Sequence, residues 1–462
     1  MRTQMLRHLG SLLGTERRRP GPIGRFAAQA LAPGPPAPEF SNHDYTVFLL
    51  SMAAEIEHSL MVQYLYAAWS LGGPQVPEEH RSDVEGWRGI LLGIAKEEMG
   101  HLLSVQNLLR LVGGPIHLDR EDFPWISGFY PYAFRLEPAT RQTIAKYVVA
   151  ESPEVWPDSV AAEERNTIER LAAEDVGMQV SRVGVLYGKL IDIFNNDDQL
   201  RDDDFRTETY AAQASFDDWG RGYSAGARGA APNAAGPDVL VLRADHRGQA
   251  VSALKQIAEQ GEATVELAAL KEGSHFTRFL TIWRGFDQAS SWTPSQNLPV
   301  DPVLPGPGAR GAIIENAESA AWAAMFNLRY RMLLSWLAHA LNLGDTAPSA
   351  NGTGRRGLAL NRVFNEMYFL KAIAGLLSRG PLADDPGQPA GPSFQMPYSL
   401  NFPADDRDFW RLHLDLVRAS QANAAVLQPK GDDGRAFLVA LNAADIAALA
   451  EIEAIIAGGR RP

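Results

Sequence analysis

The chain contains no cysteine, which excludes disulfides, thiolate metal sites and cysteine nucleophiles. No apolar run approaches the ~18 residues that suggest a membrane span. Basic residues are in the minority, 43 Lys and Arg against 55 Asp and Glu, for a formal net charge of −12 and a pI near 5.4. That balance argues against nucleic acid or an anionic membrane as a main partner, and the expected location is the cytoplasm. Gly-x-Ser-x-Gly and dinucleotide fingerprints are absent. The glycine-rich stretch over 222–237, with YSAGARGAAPNAAG, lacks the Gly-Lys-Ser/Thr of a phosphate loop.

What is present is helical periodicity. With 462 residues, 45% of them apolar, the chain can bury a sizeable core. Residues 1–40 differ from the rest: Arg2, Arg7, Arg17, Arg18, Arg19 and Arg25 face only Glu16 and Glu39 before the proline-rich LAPGPPAPEF. Arg25 interrupts any apolar signal-like core, so the stretch reads as a basic, unfolded arm. Beyond it, NHDYTVFLLSMAAEIEHSLMVQYLYAAWSL and VEGWRGILLGIAKEEMGHLLSVQNLLRLVGGP predict two long helices, each stopped by Gly-Gly-Pro. A proline- and aromatic-rich connection covers 115–140. A third helix is predicted over 165–196, a short strand in DVLVLRA, and a fourth helix over 247–283 with a break near one of its glycines. Further helices follow a proline-punctuated stretch after Gly285. The fold class is therefore all-α, a helical bundle over 41–288 with long crossovers and a C-terminal helical extension over 289–462 packed on it.

Several polar residues interrupt the apolar stripes. In KEEMGHLLSV, Glu98 shares its helix face with Leu91, Ile94, His101, Leu102 and Val105, while Glu97 falls on a lesser face beside Gly93 and Gly100. On the first helix Glu57 lies among Leu50, Ala53, Leu60, Met61 and Tyr64, and Glu55 looks toward Ser51 and His58. On the fourth, Glu272 shares a face with Val265, Ala269, His275, Phe276 and Phe279. A lone buried carboxylate is costly and is usually a satisfied core acid. Two Glu-x-x-His pairs, Glu98 with His101 and Glu272 with His275, plus an inward Glu57, form instead the ligand pattern of carboxylate-bridged di-iron or di-manganese bundles. Hard oxygens with imidazole suit iron or manganese and leave positions open for dioxygen.

The segments IEHSLMVQYLYAAW, EEMGHLLSVQNLLRLVGGP, YPYAFRLEP and EQGEA…EGSHFTRF resemble the ferritin-like domain of the iminophenyl-pyruvate dimer synthase family, whose known members act in violacein, rebeccamycin and staurosporine biosynthesis. The likeness runs from about residue 43 to 285, and more faintly through MPYSLNFPADDRDFW. It implies a ferritin-like four-helix bundle and metal-dependent oxidative chemistry on a small, amino-acid-derived substrate, with dioxygen or peroxide as oxidant and iron or manganese, one or two per chain. The ligands it implies are Glu57, Glu98, His101, Glu272 and His275. One position departs: the family's third helix carries Gly-Glu-Phe-Tyr where this chain has GVLY, with Val185 in place of Glu. Glu262 supplies the missing carboxylate if the fourth helix is broken; otherwise a second metal binds weakly and the chain carries about one. Tyr64 and Tyr187 are either oxidisable phenols beside the metal or core packing. Arg278 either clamps a substrate carboxylate or forms a surface salt bridge. Two functions are compatible with these features: a biosynthetic metal-dependent oxidoreductase, and a non-catalytic ferritin-like metal-binding or scaffold protein.

Overall fold

Ser41 opens the first helix by accepting from the backbone N–H of Asp44 at 3.0 Å. That helix, α1 (Asn42–Ser70), is buried around nearly its whole circumference, which marks it as central. It ends where Gly72 and Gly73 take positive φ of 98° and 109°, a conformation that costs glycine little. Helix α2 (Arg81–Leu111) packs along α1 and ends before Gly113, φ 72°. The computed structural model describes residues 40–124, 132–174, 182–219, 239–261, 273–287, 291–306, 309–343, 354–384, 387–396 and 400–458. Of the predicted basic arm, only Phe40 lies among them.

Then follow α3 (Arg141–Ala150), α4 (Ala162–Glu174), α5 (Gly184–Phe194), the single turn α6 (Phe216–Trp219), α7 (Arg247–Gly261) and α8 (His275–Asp287). Helix α3 packs on α4 and α8, and α5 on α1 and α7. The described residues fall into two compact units. The first takes in Ala139–Ser295, Pro124–Arg135 and the residues up to Arg120, and the second takes in Glu121–Phe123, Leu136–Pro138 and Gln296–Pro462.

The first unit departs from expectation at three places, α3, the third helix and the strand. Helix α3 was not anticipated, because its ten residues, RQTIAKYVVA, are too few to show a period. The predicted third helix appears as α4 and α5, with 175–181 between them outside the described residues. The predicted fourth helix appears as α7 and α8, broken near a glycine as expected: Gly273, φ 76°, and Ser274 are non-helical, so His275 begins a helix rather than continuing one. The predicted strand at DVLVLRA is, over 239–244, unpaired extended chain lying on α2. Side chains of α2 bind it in place of a ladder. Ser104 accepts from Leu242 N at 2.9 Å, and Asn107 donates to Leu242 O at 2.8 Å. Gly100 permits the approach, since a Cβ there would sit 2.5 Å from Leu240 O.

In the second unit a two-residue parallel pair, β1 (Pro302–Val303) and β2 (Ala312–Ile313), precedes four helices. These are α9 (Ala317–Asn342), α10 (Arg355–Leu377), α11 (Asp406–Val426) and α12 (Asp432–Gly458), the last not anticipated from sequence. Arg329 of α9 is buried among Glu366 of α10, Ser420 of α11 and Asp445 of α12. No described helix is long and apolar enough to cross a membrane.

Candidate metal centre

Helices α1, α2, α5, α7 and α8 and the end of α3 deliver a polar cluster into the core of the first unit. Glu57 comes from α1, Glu98 and His101 from α2, and His275 is the first residue of α8. Glu151 stands at the C-terminal cap of α3. None of the five exposes more than 3% of its surface. They form two groups, Glu57–Glu98–His101 and Glu98–Glu151–His275, within each of which one ligand atom per residue lies within 4.8 Å of the others.

Glu98 belongs to both groups. One of its oxygens is 2.8 Å from His101 Nδ1 and the other 3.0 Å from His275 Nδ1. Glu57 Oε2 approaches His101 Nδ1 at 3.4 Å, and Glu151 Oε2 approaches His275 Nδ1 at 3.8 Å. Behind this ring stands a second set of partners. His101 Nε2 donates to Gln260 Oε1 at 2.8 Å, and His275 Nε2 donates to Glu97 Oε2 at 2.8 Å. Both imidazoles thereby turn Nδ1 toward the carboxylates. Tyr187 OH donates to Glu57 Oε1, and Tyr64 OH donates to Glu151 Oε1 at 2.7 Å. Gly261 leaves space for Glu151, whose Oε2 a Cβ would meet at 2.8 Å.

The donor set fits a cation. Among the described residues, Glu57 Oε2, Glu98 Oε1 and His275 Nδ1 are buried with no well-aligned hydrogen bond, only the ion-pair contacts at 3.0–3.8 Å given above. All three face one hollow of about 10 Å³ lined by Glu57, Glu98, His101, Glu151, Tyr187 and His275, the size of about one water-sized sphere. Three carboxylates and two imidazoles are the chemistry of an iron or manganese site.

Without a metal, protons take the cation's place. Burial raises Glu57 to about 8, helped by the charge of Glu98 and opposed by His101. Burial alone would lower both histidines, but it is outweighed. Hydrogen bonds to Glu57 and Glu98 lift His101 to about 10, and the charge of Glu98 with bonds to Glu151 and Glu97 lifts His275 well above its usual value. Ligation requires all three to be deprotonated. Metal binding near pH 7 is therefore expected to release up to three protons, one each from Glu57, His101 and His275. Affinity should rise with pH, most steeply below about 8, where Glu57 still holds its proton. Calorimetry in buffers of different ionisation enthalpy measures that release, and a pH-independent affinity between 6 and 8 would contradict it.

Of the residues singled out from sequence, the structure brings together Glu57, Glu98, His101 and His275, with Tyr64 and Tyr187 hydrogen-bonded to the carboxylates. Glu262 and Glu272 lie outside the described residues. Arg278 is not a surface ion pair: it is largely buried and grips both oxygens of Glu97 across α2 and α8. Glu97 is itself buried, contrary to its expected place on a lesser face, and so is Glu55, which accepts from His117 Nε2 at 2.8 Å. Val185 is only half-buried and does not line the hollow, which Val183, Gly184 and Tyr187 of the same segment do. A carboxylate not anticipated from sequence, Glu151, enters the cluster from the end of α3. Glu151, Glu97 and Gln260 were missed. The one sequence signal was an acid directly after the apolar YVVA.

A buried carboxylate–histidine cluster inside a helical bundle defines the class of carboxylate-ligand bundle proteins. The ferritin-like family model matches residues 50–284, and the chain belongs to the ferritin-like family. It is similar to dichlorochromopyrrolate synthase of Lentzea aerocolonigenes, 26% identical over 377 residues that cover 74% of this chain and 35% of the relative. It is also similar to 2-imino-3-(indol-3-yl)propanoate dimerase of Chromobacterium violaceum, 32% identical over 174 residues, 32% of this chain and 17% of that one. The matches thus span about a third or less of the length of these curated relatives. A ferritin-like protein of Caulobacter vibrioides aligns over 70% of this chain and 94% of its own, at 16% identity and a TM-score of 0.41.

Proposed function

We propose that this protein is a metal-dependent oxidoreductase of a biosynthetic pathway that oxidatively couples amino-acid-derived imines. One observation carries the metal: two buried histidines, each held from behind at Nε2, turn Nδ1 onto carboxylates whose inward oxygens lack an aligned hydrogen bond. The names of the two relatives supply the substrate class. Bound iron or manganese, one or two ions per chain, supplies the one-electron redox chemistry that the side chains lack. Glu57, Glu98, Glu151, His101 and His275 hold the ions. Tyr64 and Tyr187 fix the rotamers of Glu151 and Glu57 through their hydroxyls, and the apolar wall of Leu60, Val183 and Ile257 keeps water out. Joining two enamine tautomers by one carbon–carbon bond releases two electrons and two protons. Dioxygen takes them up as hydrogen peroxide, or peroxide takes them up as water.

One observation favours the second reading, metal binding without turnover: a hollow of about 10 Å³ takes an ion but no indole-sized molecule. The test is direct. Metal-loaded protein is given the imine produced from L-tryptophan by an amino-acid oxidase, and dimer formation is followed by mass spectrometry alongside oxidant consumption. Coupled product that requires the metal supports the enzyme. Stoichiometric iron or manganese with no product from indole, phenyl or aliphatic imines supports the alternative. A protein that binds neither metal overturns both.

A further inference from the structure

The centre has near two-fold order. On one side Glu57 and His101 meet Glu98; on the other Glu151 and His275 meet the same Glu98. The order extends outward at the carboxylates, since each outer one accepts from a tyrosine, Glu57 from Tyr187 and Glu151 from Tyr64. It breaks at the histidines. His101 Nε2 donates to the neutral amide oxygen of Gln260, whereas His275 Nε2 donates to the carboxylate of Glu97.

We infer that the two sides of the centre are inequivalent, and that the His275 side binds its metal ion first and more tightly because Glu97 stands behind its imidazole. The inference rests on the metal-binding part of the function proposed above. A carboxylate behind a ligating imidazole pulls on its N–H, raises the electron density at the other nitrogen and fixes the ring orientation. A neutral amide fixes the ring with less pull, because its acceptor carries no full charge. Glu97 is also held in place: Arg278 grips both of its oxygens, and the group is buried to 1% exposure. Arg278 offsets part of the charge, but the bond to His275 stays charge-assisted. Glu97 and Gln260 are positioning residues: each acts on the metal only through a histidine.

Exchanging the two partners tests this. Glu97→Gln keeps an acceptor for His275 but makes its side copy the His101 side, and Gln260→Glu does the reverse. Mn²⁺ is titrated into metal-free full-length protein and the free ion is counted by electron paramagnetic resonance. The wild type should bind in two steps whose dissociation constants differ by about 10- to 100-fold, the range such outer partners control. Glu97→Gln should weaken only the tighter step and bring the two together, while Gln260→Glu should strengthen only the weaker one. Should a lone Arg278 unfold the Glu97→Gln protein, Glu97→Gln with Arg278→Gln leaves no unpaired charge, and Gln260→Glu leaves that pair untouched. Two equal steps in the wild type would overturn the inference while leaving the metal centre standing. So would a Glu97→Gln protein that loses affinity equally at both steps, the mark of a purely structural ion pair. Failure to bind Mn²⁺ or Fe²⁺ at all overturns the metal reading itself.

Discussion

Glu98→Ala is expected to remove both metal ions at once, whereas His101→Ala and His275→Ala should each remove one. Glu98 is the residue common to both ligand groups, with one oxygen 2.8 Å from His101 Nδ1 and the other 3.0 Å from His275 Nδ1. Its loss strips an anionic ligand from each position in a buried core, and among the described residues the other acids of the two groups, Glu57 and Glu151, each serve one side. Elemental analysis of purified protein should fall from up to about two ions per chain, the content of such bundles, to near none in Glu98→Ala. Retention of one ion would show that Glu98 does not bridge, and retention of both would remove it from the ligand set. Coupling activity, if present in the wild type, should vanish in step with the metal.

The second large effect lies far from this chemistry in sequence. Arg329 donates to Glu366 at 3.0 Å, to Asp445 at 2.5 Å and to Ser420 at 2.7 Å, joining all four helices of the second unit. Arg329 is 1% exposed, and its two acids 3% and 2%. Arg329 serves two carboxylates: burial raises Glu366 to about 7, with Arg329 opposing and Asp445 adding to the shift. Arg329→Ala leaves both acids buried without a counter-charge and opens a cavity. Breaking such a network from one end costs about 3–5 kcal/mol. Amide hydrogen exchange in α9–α12 should then accelerate by about 10²- to 10⁴-fold. Arg329→Met with Glu366→Leu and Asp445→Leu should recover most of that protection, because desolvating the ions offsets much of what their attraction contributes. An Arg329→Ala protein with unchanged exchange would mean the network contributes nothing to stability.

Helical periodicity made the bundle legible, and with it the residues whose chemistry contradicts their position. Glu57, Glu98 and His101 could be found because each sits on the apolar stripe of one long, uninterrupted helix, where the i, i+3, i+4 rule holds. The same rule misplaced Glu97 and Glu55. A stripe reports which face of a helix is most apolar, not how many faces are covered. Helix α1 is covered almost all round, and α2 is covered at Glu97 by α8, which carries Arg278 there as a counter-charge. Neither circumstance is visible along a single helix.

The helix register of α1 and α2, the buried glutamates and histidine they carry, and the exclusion of cysteine chemistry were determined by the sequence alone, because these depend on interactions within a few residues. Tertiary structure decided the rest. Glu151 enters the site from the end of the ten-residue α3, beside Gly261, although about a hundred residues separate the two along the chain. Val185 was expected to leave a gap there. On the short helix α5, however, it is Tyr187 that faces the centre, donating to Glu57, while position 185 turns aside. The positive φ of Gly273 restarts the chain so that His275 begins a helix and meets Glu97 and Glu98. Each of these placements follows from how separate helices pack, and packing is set by shape and burial across the whole core rather than by any local pattern.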